Sequence, residues 1–218
     1  MTETVASPSL SRGAVAALGV AGALALAWPF VLSTFGRGDV YLWMGPYALL
    51  VIAVAFGLSR AAPLPKEHVR RPLRDVVVGL VVGVVMTAGT YAAFAVCVRV
   101  VPALGPHVAT LYASAQTESL GDALAWTCVV IVAEELLWRG AMLVLLTRRM
   151  GRLAAGLLSL GIYTLAQGGS GSLVVMTAAL VCGAFWTAER VFTTSLVAPL
   201  ISHTIWTLTV IHLVPLTH

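Results

Sequence analysis

Long apolar runs separated by short polar turns dominate this chain. Runs of about 20 apolar residues suit membrane-crossing helices. Such runs fall near 13–35, 40–59, 75–101, 120–147, 153–167, 172–188 and 191–213. The fifth is the shortest and ends in the loop-like stretch QGGSGS, residues 167–172. The pattern predicts an all-α fold, a polytopic transmembrane helical bundle of about seven spanning helices, built as one integral membrane domain over residues 1–218. The first apolar core, 14–35, is longer than a typical signal-peptide core, so an uncleaved helix is expected. The stretch PALGPHVATLYASAQTES, residues 102–119, is the longest connection on its side and suits a short interfacial helix.

Composition agrees with this class. Hydrophobic residues make up 59% of the chain and charged residues 10%, far from the soluble average of about 25% charged. Cys97, Cys128 and Cys182 all lie inside apolar runs without ligand spacing, so neither a disulfide nor a zinc site is expected. The net charge of +4 sits in short turns and excludes a nucleic-acid reading. It reads instead as topology. Of the 13 Lys and Arg residues, ten (Arg12, Arg60, Lys66, Arg70, Arg71, Arg74, Arg148, Arg149, Arg152 and Arg190) fall on one side under strict alternation of spans. Arg37 and Arg99 belong to the other side, and Arg139 lies within a span. This bias places the amino terminus in the cytoplasm and, with seven spans, the carboxyl terminus outside.

Charge in the interior of a span costs roughly 3 kcal/mol per residue. The run CVVIVAEELLWRGAMLVLL, 128–146, nevertheless carries Glu134, Glu135 and Arg139. A helix rises about 1.5 Å per residue, so sequence distance converts to depth. Glu134 lies roughly 21 Å from Arg148, Gln167 about 22 Å from Arg152 and His203 about 20 Å from Arg190. Three polar side chains from three helices therefore reach one level, as a buried polar site requires. Glu135 and Arg139 are spaced i,i+4, the favourable order for an ion pair. Glu134 points elsewhere and has no basic partner at helical spacing, which leaves it free to titrate as a general base must. Ser159, Tyr163 and Gln167 form a polar stripe, and His203 and Thr207 share a face. Pro199, four residues before His203, is expected to bend its helix. Structural roles compete with each of these readings. Glu135 with Arg139 serves equally as a strut, Gln167 can mark the membrane interface, and Ser, Thr and Tyr can bond to their own backbone.

The motif Glu134-Glu135-Leu-Leu-Trp-Arg139 resembles the EExxxR signature of the CPBP intramembrane endopeptidases, a group that includes type II CAAX prenyl proteases and bacteriocin-processing or immunity-associated proteins. Tyr163-Thr-Leu-Ala-Gln167 corresponds to the family's second motif, an aromatic followed four residues later by His. His203-Thr-Ile-Trp-Thr207 corresponds to its third, His followed four residues later by Asn. The resemblance covers about 120–210, the CPBP/ABI-like protease core. It implies Glu134 as the base that activates water, with Glu135 and Arg139 holding it in place. It also implies His203 as an oxyanion donor, Thr207 as a weaker one, and Gln167 in the place of a motif His. Gln167 can orient a water but cannot carry a proton. Only Glu134 and His203 remain as good metal ligands where catalytic zinc usually has three, so neither a metal nor a cofactor is expected.

Three functions follow as alternatives. The first is a glutamic-type intramembrane endopeptidase acting on a membrane protein or lipid-anchored peptide among membrane lipids, without nucleic acid. The second is a degenerate pseudoprotease serving as a chaperone, immunity or partner protein, which the substitutions at Gln167 and Thr207 favour. A transporter is the third, but it would carry inverted repeats that the chain lacks. The expected location is a bacterial inner (plasma) membrane.

Overall fold

The computed structural model describes residues 12–34, 40–61, 72–115 and 119–216, and all regular structure among them is helical. The chain runs through α1 (Arg12–Leu32), α2 (Val40–Ala61), α3 (Pro72–Val100), the short α4 (Leu104–Ala115) and α5 (Leu120–Glu134). A π-helical segment, Glu135–Met142, continues α5 into α6 (Leu143–Thr147). Next come α7 (Arg152–Ala166) with a 3₁₀ turn at Gln167–Ser170, α8 (Leu173–Thr193), and α9 (Val197–Thr207) with a π-helical end at Leu208–Leu213. A short helix in 102–119 is present as α4. Lys66, Arg70, Arg71 and Arg37, which contributed to the orientation argument, lie outside the described residues.

The fold is an all-α bundle, and it does not confirm a count of seven spans. Among the described residues four helices are long and apolar enough to cross a membrane: Gly13–Leu32, Tyr41–Leu58, Pro72–Val100 and Leu173–Thr193. The 120–147 rod is interrupted by its own charged residues, α7 is 15 residues long, and Val197–Leu213 is a shorter apolar helix. The outward faces are bare hydrocarbon. Phe30, Leu26, Leu73, Val100 and Phe192 are exposed, as suits helices whose solvent is lipid and whose backbone is satisfied internally.

With lipid outside, apolar burial does not drive helix association, so close contact between small residues matters more. α3 packs most extensively on α9. Gly79 and Gly83, one turn apart, permit this: a Cβ on Gly79 would lie 2.6 Å from the Ala198 carbonyl oxygen, and one on Gly83 3.0 Å from Ser202 Cα. Gly183 likewise lets Tyr163 lie against α8, at 2.9 Å from where its Cβ would stand. The core gathers at Trp28, Trp138, Tyr163 and Trp186, with Trp28 and Trp138 edge to face at 6.0 Å.

Two sequence expectations are corrected here. Pro199 lies in the first turn of α9, where its missing N–H is no loss, so it starts that helix and does not bend it. Arg190 is not a loop charge: it lies inside α8 and is buried.

The close α3–α9 contact makes a direct test. Gly79→Ala is expected to destabilise the protein by about 1–3 kcal/mol, the usual cost of overpacking. Gly89→Ala on the same helix, with open space at its Cβ, is expected to be neutral or stabilising by up to about 1 kcal/mol. Thermal unfolding in detergent compares the two.

Candidate functional site

The π-helical segment is where the site begins. Its hydrogen bonds run i→i+5, which widens the helix and releases carbonyl oxygens from their usual partners. Two of these are collected from neighbouring helices. Ser159 Oγ on α7 donates to the Trp138 carbonyl at 2.8 Å, and Arg190 Nε on α8 donates to the Arg139 carbonyl at 3.0 Å. The segment is thereby fixed from two sides, and Glu135, Leu137, Trp138 and Arg139 are all buried.

Arg139 and Glu135 form an ion pair with Nη1 to Oε1 at 3.3 Å. The guanidinium also donates to the Gly183 carbonyl at 3.3 Å. Its carbon lies 4.5 Å from the centre of the Tyr163 ring and 5.4 Å from that of Trp186, two faces that attract a cation. The bare Gly183 gives Arg139 both its carbonyl and the room for Tyr163.

His203 stands between the two glutamates. Its Nδ1 is 2.8 Å from Glu135 Oε1, and its Nε2 is 3.5 Å from Glu134 Oε2. The imidazole stacks on Trp186 with centroids 3.6 Å apart and planes 18° from parallel, so its orientation is held from the flat side as well as the edges. With Glu135 ionised against Arg139, Nδ1 is the nitrogen that donates and Nε2 is turned to Glu134. Gln167 Nε2 donates to the other oxygen of Glu134, Oε1, at 2.8 Å.

The three residues matched in depth from the sequence, Glu134, Gln167 and His203, are thus in direct contact. Glu134, Gln167, His203 and Thr207 face a cavity of about 650 Å³ that is otherwise largely apolar. Thr207 Oγ1 is buried there and, among the described residues, has no hydrogen-bond partner. Glu135 and Arg139 lie behind that wall, and Glu135 Oε2 has no partner among the described residues. Among the described residues no group of three or more His, Cys, Asp or Glu is arranged to hold a metal ion.

Two features escaped the sequence reading. Glu189, buried in α8, accepts a hydrogen bond from Ser202, the neighbour of His203, while its Oε1 has no partner among the described residues. The pairing was visible only as an acid beside Arg190, which looked like a helix end. The second is a polar chain across the cavity, with Tyr41 OH to Thr127 Oγ1 at 2.9 Å and Thr127 Oγ1 to His212 Nε2 at 2.8 Å. These three residues come from different apolar runs, and no spacing links them. Thr127 lies two turns before Glu134, about 10 Å along α5.

Removing Arg139 would strand the buried Glu135. Arg139→Leu is therefore expected to destabilise the fold by about 3–5 kcal/mol, the typical cost of breaking a buried pair from one side. Unfolding midpoints in detergent, compared with wild type, measure the loss.

Comparison with known proteins follows this geometry. Residues 116–209 match the family described as "Rce1-like: Type II CAAX prenyl endopeptidase Rce1-like". No curated protein and no solved structure matches the chain. The match and the four apolar helices make this an integral membrane protein. The likeness to the CPBP family carried by Glu134, Glu135, Arg139 and His203 is thus shown over residues 116–209, where the chain is similar to the Rce1-like CAAX prenyl endopeptidases.

Proposed function

We propose that the chain is an intramembrane endopeptidase that hydrolyses a peptide bond of a membrane-anchored substrate with water activated by Glu134. The observation that carries this reading is the Glu134 carboxylate itself, buried at the wall of an apolar cavity with one oxygen held by Gln167 and the other beside His203. A base fixed in this way is oriented before substrate arrives, and excluded water strengthens every polar interaction around it.

In this mechanism a water in the cavity gives a proton to Glu134, and its oxygen attacks the scissile carbonyl carbon. The carbonyl oxygen becomes an oxyanion. Thr207 Oγ1 has a hydroxyl proton with no other acceptor among the described residues and is free to donate to it. His203 Nε2 adds a second donor when the ring is doubly protonated. Collapse breaks the C–N bond, and Glu134 passes its proton to the leaving nitrogen. Glu135 and Arg139 act through position: they hold His203 Nδ1 and the widened helix.

One observation favours a second reading, a pseudoprotease that binds membrane segments without cutting them. Gln167 occupies one oxygen of Glu134 with an amide that cannot release or accept a proton. The motif His it replaces has that capacity.

A quantitative survey of protein termini in membranes tests the two, comparing wild type with Glu134→Gln at equal expression. The protease reading expects a small set of termini present with wild type and absent with the variant. Identical sets of termini, together with an effect of deleting the whole protein, would leave the binding reading in place. If Glu134 is the base, Gln167→His is expected to raise release of those termini by about 10²-fold, the lower end of general acid–base catalysis.

A further inference from the structure

The polar chain of Tyr41, Thr127 and His212 takes no part in holding Glu134 or in the proposed chemistry, yet all three residues line the same cavity. Their place in the fold is regular. Two polar rungs join α5 to the last helix. Glu134 meets His203 Nε2 at 3.5 Å, and Thr127 meets His212 Nε2 at 2.8 Å. The pairs come in reverse order along the two helices, which therefore run antiparallel here. Thr127 and Glu134 are close to two full turns apart, so both fall on one face of α5, about 10 Å from each other along its axis. Between them Val130 and Ile131 line the cavity with hydrocarbon.

Three groups and two contacts leave one proton over. Tyr41, Thr127 and a neutral His212 each carry a single hydrogen-bonding proton, and the contacts among them use two. The phenol is the more acidic hydroxyl, and the imidazole nitrogen is the best acceptor of the set. Tyr41 therefore gives to Thr127, and Thr127 gives to His212 Nε2. This fixes the remaining proton on His212 Nδ1, which has no partner among the described residues. Other hydroxyls of the cavity wall are already spent: Thr90, Tyr112 and Thr177 donate to the main-chain carbonyls of Met86, Val210 and Leu173. A strut between α2, α5 and the last helix needs only the two contacts. On a residue that lines the cavity, the spare N–H is a donor in need of an acceptor.

We propose that Tyr41, Thr127 and His212 form a selectivity subsite for an uncharged side-chain oxygen on the substrate, that of Ser, Thr, Asn or Gln, three residues from the bond cut at Glu134. An extended chain covers about 10 Å in three residues, the length of wall between the two rungs. A polar side chain brought against the hydrocarbon between the rungs would lose its hydrogen bonds. An ionised side chain is a poor fit, since one neutral N–H does not repay its desolvation. The spacing from the cut rests on the protease reading, whereas the subsite itself rests on the hydrogen-bond chain.

The test has two arms. In the first, the full-length Glu134→Gln protein in detergent is titrated with fluorescent dodecapeptides of leucine and alanine, with and without one central serine. The serine peptide is expected to bind about tenfold more tightly, the worth of one added hydrogen bond. That preference is expected to vanish in an added His212→Phe change while the apolar parent binds as before, which shows that the fold is kept. An added Thr127→Val change, which releases the ring, is expected to weaken the preference too and carries this arm if His212→Phe does not fold. Equal binding of the two peptides, no binding of either, or a preference that survives both changes overturns the subsite. In the second arm, the sequences around Glu134-dependent termini in cells are aligned on the cut. Ser, Thr, Asn or Gln is expected to be enriched three residues to one side of it; enrichment at another spacing, or none, overturns the placement. A serine preference without any Glu134-dependent terminus leaves the subsite standing and removes the protease. Glu134-dependent termini without a serine preference do the reverse.

Discussion

Two adjacent carboxylates in an apolar bundle are the constraint on which the rest of this structure depends. Neither can be left alone, since an unpaired buried charge costs several kcal/mol. Their partners come from every direction available: Arg139 from the same rod, His203 from α9 and Gln167 from α7. Arg139 in turn draws on the Gly183 carbonyl and the Trp186 ring of α8 and on the Tyr163 ring of α7. Satisfying two glutamates therefore clamps α7, α8 and α9 around one short segment. In a lipid solvent, where hydrocarbon contacts do not by themselves hold helices together, such a polar centre decides which helices are neighbours.

The π-helical geometry of Glu135–Met142 is part of the same solution. A regular α-helix keeps its carbonyls engaged within itself. Here the Trp138 and Arg139 carbonyls accept from Ser159 and Arg190, so the backbone becomes a second layer of attachment beneath the side chains. Glu134 lies at the last α-helical position before the widening and faces the cavity, while Glu135, the first position within it, is turned to Arg139 and His203. The division of labour between two identical side chains follows from that step in helix geometry.

Much of this was legible in the residues. Depth follows from rise per residue whatever the rotation about the helix axis, and Glu134 and Gln167, measured from Arg148 and Arg152, do meet; His203 meets Glu134 as well, although its marker Arg190 belongs to α8 and not to its own helix. Rotation itself was not legible, and with it went the finding that His203 presents one nitrogen to each glutamate. Arg190 shows the limit of reading charge as topology: near a helix end it looked like a marker of the cytoplasmic side, yet it is buried against the Arg139 carbonyl. Tyr41, Thr127 and His212 were invisible for another reason. Each is a single polar residue in an apolar run, and only the folded chain joins them. The count of seven spans is not confirmed, because the polar site shortens or interrupts the apolar stretches in 120–147, in α7 and in α9.

Gln167 bears on how such a site could have changed without collapsing. A histidine and a glutamine can each give one N–H to Glu134 Oε1, so the hydrogen bond at 2.8 Å satisfies the buried carboxylate in either case. The fold, which needs only that donor, is indifferent to the exchange. The chemistry is not, because an amide N–H cannot leave. Stability and catalysis thus place different demands on one position. A chain relieved of one demand keeps the architecture intact: the clamp on Glu135, the stacked His203 and the cavity beside Glu134. That is why the geometry alone is equally at home in an enzyme and in a binding protein descended from one, and why proton transfer at Glu134 is the property that separates them.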